Sequence, residues 1–590
     1  MIYGNYGKLI RINLDEKRAS VEEIGPSVLH QTIGGKGLGT HLLLEELDPN
    51  VDPLSPENKI IFTTGPACDT GLAAVSRYGV FSKSPLTGTY AESYAGGHVA
   101  PLMKRTGYDA FILEGSSSSP VFLHVHPGGV SFRQADSLWG MDTYQAEDRM
   151  KEEVGVKGAQ AIVIGPAGEK QVAFACIKNN YWRSAGRGGM GAVLGSKRVK
   201  GLVFSGDSRA PLADPDLLKR CVLELKEKGK DNRGVQAYYK FGTPMMVSIL
   251  NKINSFPTRY WYQGSMENWQ KISAEAMQDT MEVRSRACRG CFIACGKLST
   301  VLQGRHKGLQ IEGPEYETLY AIGGLCCIDS LEEIVYLNDL CDRLGMDTIS
   351  AGNLVAFAIE AGLRGNLKDA PAYGDVDAIA RLLRDISARQ GTGALLARGI
   401  RAASAWLGLE DLAVHVKGME PAGYDPRILK GMALGYATSD RGACHLRATF
   451  YKPELSGMIP PEQVEGKAAL FIDFEDRLTL FDCLIYCRFY RDLVDWEDLA
   501  LVIEATTGQK LDKAGLQAVA SDIVSRTRRF NLGAGVTRAD DTLPGRFFKE
   551  PLDEEGRQII TEEELNYMVD DYYRLRSWDE YGVPIDKEED

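Results

Sequence analysis

Along the first two hundred residues, apolar and polar positions alternate or form short apolar runs closed by glycine, which is the pattern of β-strands. "GKLIRINL" and "ASVEEI" flank the polar "DEKR" and predict a hairpin. "KIIFTTG", "AFILEG", "PVFLHVH", "AIVIGPAG", "QVAFACI" and "GLVFSG" predict further strands, and helical spacing interrupts them at "THLLLEEL" and "YQAEDRMKEEV". After "GDSRAPLADPD" the period becomes that of amphipathic helices, in "PDLLKRCVLELKEKG", "SLEEIVYLNDLCDRLG", "ISAGNLVAFAIEAGL", "VDAIARLLRDISAR", "GALLARGIRAASAWLG" and a stretch near 515–525. The expectation is an α+β protein in three parts: a β-rich domain over 1–207, then two mainly α-helical domains over 208–413 and 414–590. The terminal "DKEED" reads as a short solvated acidic tail.

Composition narrows the class. The 590 residues carry a net charge of −12, which argues against a nucleic-acid partner because phosphate binding needs a basic patch. No run approaches the ~18 apolar residues of a membrane span. The opening "MIYGNYGKLIRINL" lacks the charged-then-apolar layout of a secretory signal, so a cytoplasmic location is expected. In that reducing compartment a disulfide framework is not expected, and Cys68, Cys176 and Cys221 read as small buried hydrophobes, as do Cys326, Cys327 and Cys341 in stretches read as helical.

Two glycine-rich stretches need a reading. "GGKGLG" (34–39) does not match G-x-G-x-x-G. "GRGGMGAVLGSK" (186–197) fails as a P-loop, since one residue is missing between Gly191 and Gly195 and Ser196 separates Gly195 from Lys197. Close backbone approach to a large ligand and simple tight turns both remain open.

"RACRGCFIACGK" places Cys288, Cys291 and Cys295 at C-x2-C-x3-C. Zinc sites pair two such knuckles or add histidines, and His306, the nearest histidine, sits in a polar loop. A four-iron cubane wants four thiolates and tolerates a distant fourth, for which Cys483 and Cys487 in "LFDCLIYCRFY" are the candidates. Spacing alone leaves iron–sulfur, zinc and a metal-free turn open.

Over nearly its whole length the chain resembles the tungsten-dependent aldehyde:ferredoxin oxidoreductase family. The resemblance rests on "YGKLIRINL", "DPLSPENKIIFTTGP", "SRYGVFSKSPLTG", "GYDAFILEG", "IGPAGE", "AGRGGMGAVLGSK", "EGPEYET", "CDRLGMDTIS", "GYDPR", "LGYATSDRGACH", "DDTLPGRF" and "DDYYRLRSWDEYGVP". It implies a β-rich base for a tungsten bis-pyranopterin, closed over by the two helical domains. It implies a [4Fe–4S] cluster on Cys288, Cys291, Cys295 and Cys487, with Cys483 as a neighbour. Asp342, Gly345 and Asp347 match one pterin motif; Asp482 matches the second, which here lacks its Gly-Leu. Arg77 matches an arginine between pterin and cluster, and Arg447 stands where a lysine is common. The pterin phosphates and a bridging Mg2+ lie, by the same resemblance, against "AESYAGG" and "WRSAGRGG". That brings in Tyr94, Ala95, Gly96, Arg183, Ser184, Gly186 and Arg187, with Tyr94 and Ser184 offering backbone carbonyls to the magnesium. The E-x-x-H element by which some relatives share an iron between subunits is missing from "YLNDLCDRLG", so any oligomer is expected to lack that metal.

The activity implied is oxidation of a small aldehyde with water to the carboxylic acid, releasing two protons and two electrons to ferredoxin or a small iron–sulfur subunit. Glu317 in "EGPEYE" is the expected base and His445 in "ACHLR" the expected donor to the substrate oxygen, with Glu312 and Glu315 nearby in the same stretch. Taken without the resemblance, Glu317 reads as a salt-bridged surface carboxylate and His445 as a structural histidine. Two rivals stand beside this reading: a reductase of the aromatic ring of an acyl-CoA thioester, and an electron-transfer subunit with the cluster alone. Arg284, Arg286 and Arg289 are expected to attract an acidic electron acceptor despite the negative net charge.

Overall fold

In the computed structural model, which describes residues 2–585, the predicted hairpin is present: β1 (Lys8–Asn13) pairs antiparallel with β2 (Arg18–Glu23). The "DKEED" tail lies outside the described residues. With β3 (Ile60–Thr63), β4 (Tyr78–Lys83), β5 (Tyr90–Ala95) and β6 (Ala110–Glu114) the hairpin forms a six-stranded sheet, ordered β2-β1-β6-β3-β4-β5. A second six-stranded sheet joins β7 (Val121–His126), β8 (Gly129–Gln134), β9 (Gln160–Val163), β10 (Ile177–Asn179), β11 (Arg183–Ala185) and β12 (Val199–Phe204), in the order β11-β10-β9-β12-β7-β8. Ile10, Ile12, Phe62 and Phe111 of the first sheet share a core with Leu123, Ile162 and Leu202 of the second. The other face of the first sheet, through Leu9, Ile61, Phe81 and Ile112, covers Leu38, Leu42 and Leu43 of helix Gly35–Glu46. Burial on both faces explains why "IIFT" and "AFIL" read as unbroken apolar runs.

Three expectations are corrected. "QVAFACI" is mostly turn, with a single bridge from Ala175 to Met346, and pairing starts only at Ile177. "GALLARGIRAASAWLG" divides into helices Gly391–Leu396 and Ile400–Leu407, because Gly399 holds φ +87° against Leu86. Cys326 and Cys327 occupy a turn, not a helix. The helical half also contains a small antiparallel sheet of β13 (Met281–Arg286), β14 (Gly296–Val301) and β15 (Gln310–Glu312). The pairing Arg286↔Gly296 closes the β13–β14 hairpin around residues 287–295, which carry the three clustered cysteines.

Helix Lys467–Leu484 joins the halves of the molecule and packs on Gly35–Glu46. A Cβ on Gly35 would sit 2.2 Å from the carbonyl oxygen of Asp482, and one on Gly65 would sit 2.6 Å from the carbonyl carbon of Leu484. "GGKGLG" is therefore a packing device that lets the Asp482–Cys487 segment reach the β-rich part. The glycines of 189–195 behave likewise: Cβ atoms on Gly189, Gly191 and Gly195 would strike the carbonyls of Ala173, Cys176 and Gly168. Helices Pro215–Lys230 and Trp496–Thr507 share one core, so segments from either side of residue 413 fold together. Among the described residues no helix is long and apolar enough to cross a membrane.

Asp541 ties three segments together. Its carboxylate stands 2.6 Å from Lys417 Nζ and 2.8 Å from Arg528 Nη1, and Tyr573 donates to it, all in the interior. Burial pushes this carboxyl up, but Lys417 and Arg528 hold it below its usual range. Asp541→Asn is expected to cost about 3 kcal/mol or more, since two buried cations lose their counter-charge. Thermal unfolding followed by near-UV circular dichroism checks this. The group is depressed on folding, so its contribution is complete above about pH 4 and fades as pH falls; the gap between wild type and variant should close in acid.

Candidate active site

A cavity of about 370 Å³ lies where the ends of β5 and β11 meet the β13–β14 loop, the 482–490 segment and the start of helix Thr348–Leu363. One end is lined with sulfur: Cys288, Cys291, Cys295 and Cys487 all face it. The backbone N–H of Cys487 donates to Ala74 O at 2.9 Å, which fixes the distant thiol beside the other three. Gly96 admits the loop, because a Cβ there would lie 2.9 Å from Cys288 Sγ. The N–H of Gly97 donates to that sulfur at 3.2 Å, and Tyr490 Oη stands 3.4 Å from Cys291 Sγ. Cys483 is different. It belongs to a hydrophobic cluster with Leu480 and Leu484, and burial pushes its thiol up to about 12. Among the described residues, no three His, Cys, Asp or Glu side chains converge closely enough to hold a single metal ion.

Around the rest of the cavity, enclosed cations and carboxylates are paired. Lys178 meets Asp342 and Arg183 meets Glu312 across the chain, and Arg488 meets Asp482 six residues before it. Arg187 Nε lies 3.3 Å from Asp347, and Arg447 pairs with Glu92 while standing 3.8 Å from Asp482. Burial raises the Asp342 carboxyl to about 6, with Lys178 pulling it back. Among the described residues these pairs leave donors without hydrogen-bond partners: Nε and Nη2 of Arg447, Nε and Nη1 of Arg488, Nε of Arg187, and the Trp182 indole N–H. Buried donors require acceptors, and a large polyanion rich in oxygen and nitrogen would supply them. Phosphate groups in particular match free guanidinium edges.

Glu317 and His445 come together from segments more than a hundred residues apart. Helical turn Tyr316–Thr318, continued by a π-helical turn over Leu319–Gly324, presents the carboxylate. Its Oε2 accepts the Gly423 N–H at 3.1 Å, while Oε1 has no hydrogen-bond partner among the described residues and lies 3.5 Å from His445 Nε2. Burial raises Glu317 to about 7, against the opposing pull of the Gly423 N–H and Arg187. Burial, reinforced by Arg187, Arg441, Arg488 and Arg491, holds His445 far below the usual histidine range, so the ring is neutral. Tyr424 stacks on His445 at 5.8 Å and Tyr451 stacks on Tyr424 at 4.1 Å, which fixes the ring plane.

Of the sequence-predicted residues, Arg77, Tyr94, Gly96, Arg183, Ser184 and Gly186 line the cavity, as do Asp342, Asp347, Glu317 and the four cysteines. Arg187, Arg447, Asp482 and His445 stand behind that lining, and Ala95 is enclosed within β5. Gly345 caps helix Leu331–Leu344 at φ +76°, where a Cβ would meet Gly165 N at 2.8 Å. Asp347 also caps helix Thr348–Leu363, accepting the N–H groups of Ile349 and Ser350.

Glu312 and Glu315, near Glu317 in sequence, also line the cavity: Glu312 pairs with Arg183 and Glu315 accepts from Thr243. Of the three loop arginines, Arg284 pairs with Glu282 and Arg286 lies 3.6 Å from Glu312, stacked over Trp182, while Arg289 is exposed. Sequence reasoning missed Glu92, Lys178, Arg488 and Glu420, whose Oε2 accepts from Ser350 Oγ at 2.7 Å and lies 3.9 Å from Arg187 Nη2. Arg488 alone had a signal, its position directly after Cys487; the others lie in buried segments whose polarity declares itself only once their partners are known.

Comparison with known proteins adds independent findings. The family model described as "Aldehyde ferredoxin oxidoreductase, N-terminal domain" matches residues 9–206, and "Aldehyde ferredoxin oxidoreductase, domains 2 & 3" matches 220–588. The tungsten-containing aldehyde ferredoxin oxidoreductase of Pyrococcus furiosus is 36% identical over 603 residues, covering 100% of this chain and 99% of that protein. The WOR-like subunit of an aliphatic sulfonate oxidoreductase from the same organism is 30% identical over 627 residues, covering 99% and 96%. Among solved structures, the active site complex BamBC of benzoyl coenzyme A reductase, in complex with 1,5 dienoyl-CoA, superposes with a TM-score of 0.85 at 22% identity, covering 99% of this chain and 96% of that one; at that identity the likeness is one of fold.

Proposed function

The chain belongs to the aldehyde ferredoxin oxidoreductase family of tungsten enzymes, and on that premise we propose that it oxidises small aldehydes to carboxylic acids, passing the electrons through a [4Fe–4S] cluster to ferredoxin or an iron–sulfur subunit. The observation that carries the reading is the Glu317–His445 pair, 3.5 Å apart and beside the cavity that the four cysteines line. Cys288, Cys291, Cys295 and Cys487 would hold the cluster. Arg77, Gly96, Arg183, Gly186, Arg187, Asp342, Asp347, Arg447 and Asp482 would hold the two pterins, with Ala95 and Gly345 shaping the backbone there and the carbonyls of Tyr94 and Ser184 on the bridging Mg2+. The unpartnered guanidinium donors of Arg447 and Arg488 fit such a group.

When bound, the tungstopterin supplies two-electron redox capacity and Lewis acidity, and the cluster supplies a one-electron exit. The chain's own residues handle oxygen and protons. Glu317 takes a proton as water adds to the carbonyl carbon, and a buried carboxyl at about 7 is matched to that task near neutral pH. Neutral His445 donates an N–H to the oxygen on which charge develops, and its stacked ring holds that donor in place. Tyr316, Tyr320, Tyr424 and Tyr436, all buried around Glu317, keep bulk water from the pair.

Elemental analysis of protein purified without oxygen, with aldehyde and aryl-CoA thioester assays using a viologen, tests the proposal. Tungsten and iron with thioester activity but no aldehyde turnover would favour the ring-reductase alternative. Glu317→Gln and His445→Asn should each lower kcat by ~10²–10³ with little change in KM and unchanged metal content.

The pH dependence follows from the raised carboxyl. Below about 7 Glu317 is protonated and cannot act as base, so kcat/KM should climb with pH through about 7; His445, already neutral, adds no second limb there. Loss of that climb in Glu317→Gln, measured as residual activity, ties the limb to this residue.

For the cluster, Cys487→Ser should lower iron content, while Cys483→Ser should leave it near that of wild type. Iron determination decides, and the reverse outcome would move the fourth ligand to Cys483.

A further inference from the structure

Beneath the cysteine loop lies a buried cation with no role in the reaction above. Lys297 follows Cys295 by two residues at the start of β14 and is 2% exposed. Its Nζ donates within 3.1–3.4 Å to the carbonyls of Ala294, Cys295, Gly296 and Tyr238 and to Ser285 Oγ. Two of those carbonyls, of Ala294 and Cys295, belong to the loop itself, and that of Gly296 closes it. Gly242 closes over the same spot at φ +65°, where a Cβ would lie 2.8 Å from Cys295 O and 3.2 Å from Lys297 Cγ.

These neutral acceptors satisfy the ammonium's hydrogen bonds but not its charge. Among the described residues no carboxylate lies within ion-pair distance of Lys297: Glu315 and Glu312 act on it only from farther off, and Glu312 is already shared by Arg183 and Arg286. An ammonium taken out of water with no carboxylate in contact is costly, and an anion against the loop would offset that cost. Four thiolates around a four-iron centre form such an anion, and it gains one more negative charge on reduction.

We propose that Lys297 is the buried counter-cation of the cluster and raises its reduction potential by favouring the more negative, reduced state. The inference rests on the iron–sulfur reading of the four cysteines. Lys297 is a positioning and tuning residue, since it touches the loop and not the substrate. Its effect is large because the charge is fixed and buried, where Coulomb interactions are weakly screened. The exposed Arg284, paired with Glu282, lacks both properties.

The test is an anaerobic redox titration of holoenzyme followed by electron paramagnetic resonance, with iron determination on the same samples. Lys297→Gln retains N–H donors for the loop carbonyls but removes the charge; Lys297→Met removes both. The glutamine variant should keep wild-type iron and titrate lower, so that at the wild-type midpoint its reduced-to-oxidised ratio falls at least tenfold, equivalent to about 59 mV for a one-electron couple. The methionine variant, where it retains iron, should shift in the same direction. A glutamine variant with full iron and a wild-type midpoint overturns the proposal, because hydrogen bonding without charge would then suffice. A glutamine variant that cannot hold iron also overturns it, leaving Lys297 a structural pin. Wild-type protein without iron would instead sink the iron–sulfur reading on which the inference stands.

Discussion

Charges withdrawn from water need partners, and the arrangement of this chain around its cavity follows from that requirement. Three cations of the 178–187 stretch meet carboxylates of 312–347, Lys178 with Asp342, Arg183 with Glu312 and Arg187 with Asp347, while Arg447 meets Glu92. Each of these pairs joins residues from distant parts of the chain. The same pairs leave guanidinium edges unsatisfied, and that residue of unmet demand is what shapes the cavity for a polyanionic guest.

Where the pairing is withheld, chemistry becomes possible. Glu317 has no hydrogen-bonded cation, only a backbone N–H on one oxygen, so burial dominates and lifts its carboxyl toward neutrality. Asp541, more deeply buried but held by Lys417 and Arg528, goes the other way and serves stability alone. The contrast between these two carboxylates is the contrast between an acid–base group and a structural strut, and partner placement is what separates them.

Glycine solves a second problem, that of bringing backbones into contact. Gly35 and Gly65 let the Asp482–Cys487 segment approach the β-rich part, and Gly96 lets the cysteine loop approach β5. Without both approaches the fourth sulfur would not share a wall with the other three. The glycines therefore act at the joints of the site more than at its ligand surface; Gly186 and Gly96 are the ones that line the cavity.

Much was legible in the sequence because local pattern carries it. Alternation marked most strands of the two sheets, helical period marked the long helices, and the C-x2-C-x3-C spacing marked one corner of the site. The family likeness extended this to Cys487, Glu317 and His445, whose placement beside one cavity no spacing could reveal. Strands β4 and β5 escaped notice because their polar residues, Glu92 among them, are buried against partners from distant segments. "QVAFACI" misled for the opposite reason: its apolar residues fill a core as turns, without a strand to pair with. Local sequence determines which backbone a segment prefers and which faces are apolar, since those depend on neighbours a few residues away. Which carboxylate pairs, which stays unpaired, and which lysine is buried with no carboxylate in contact depend on groups brought from hundreds of residues away, and only the tertiary structure decides them.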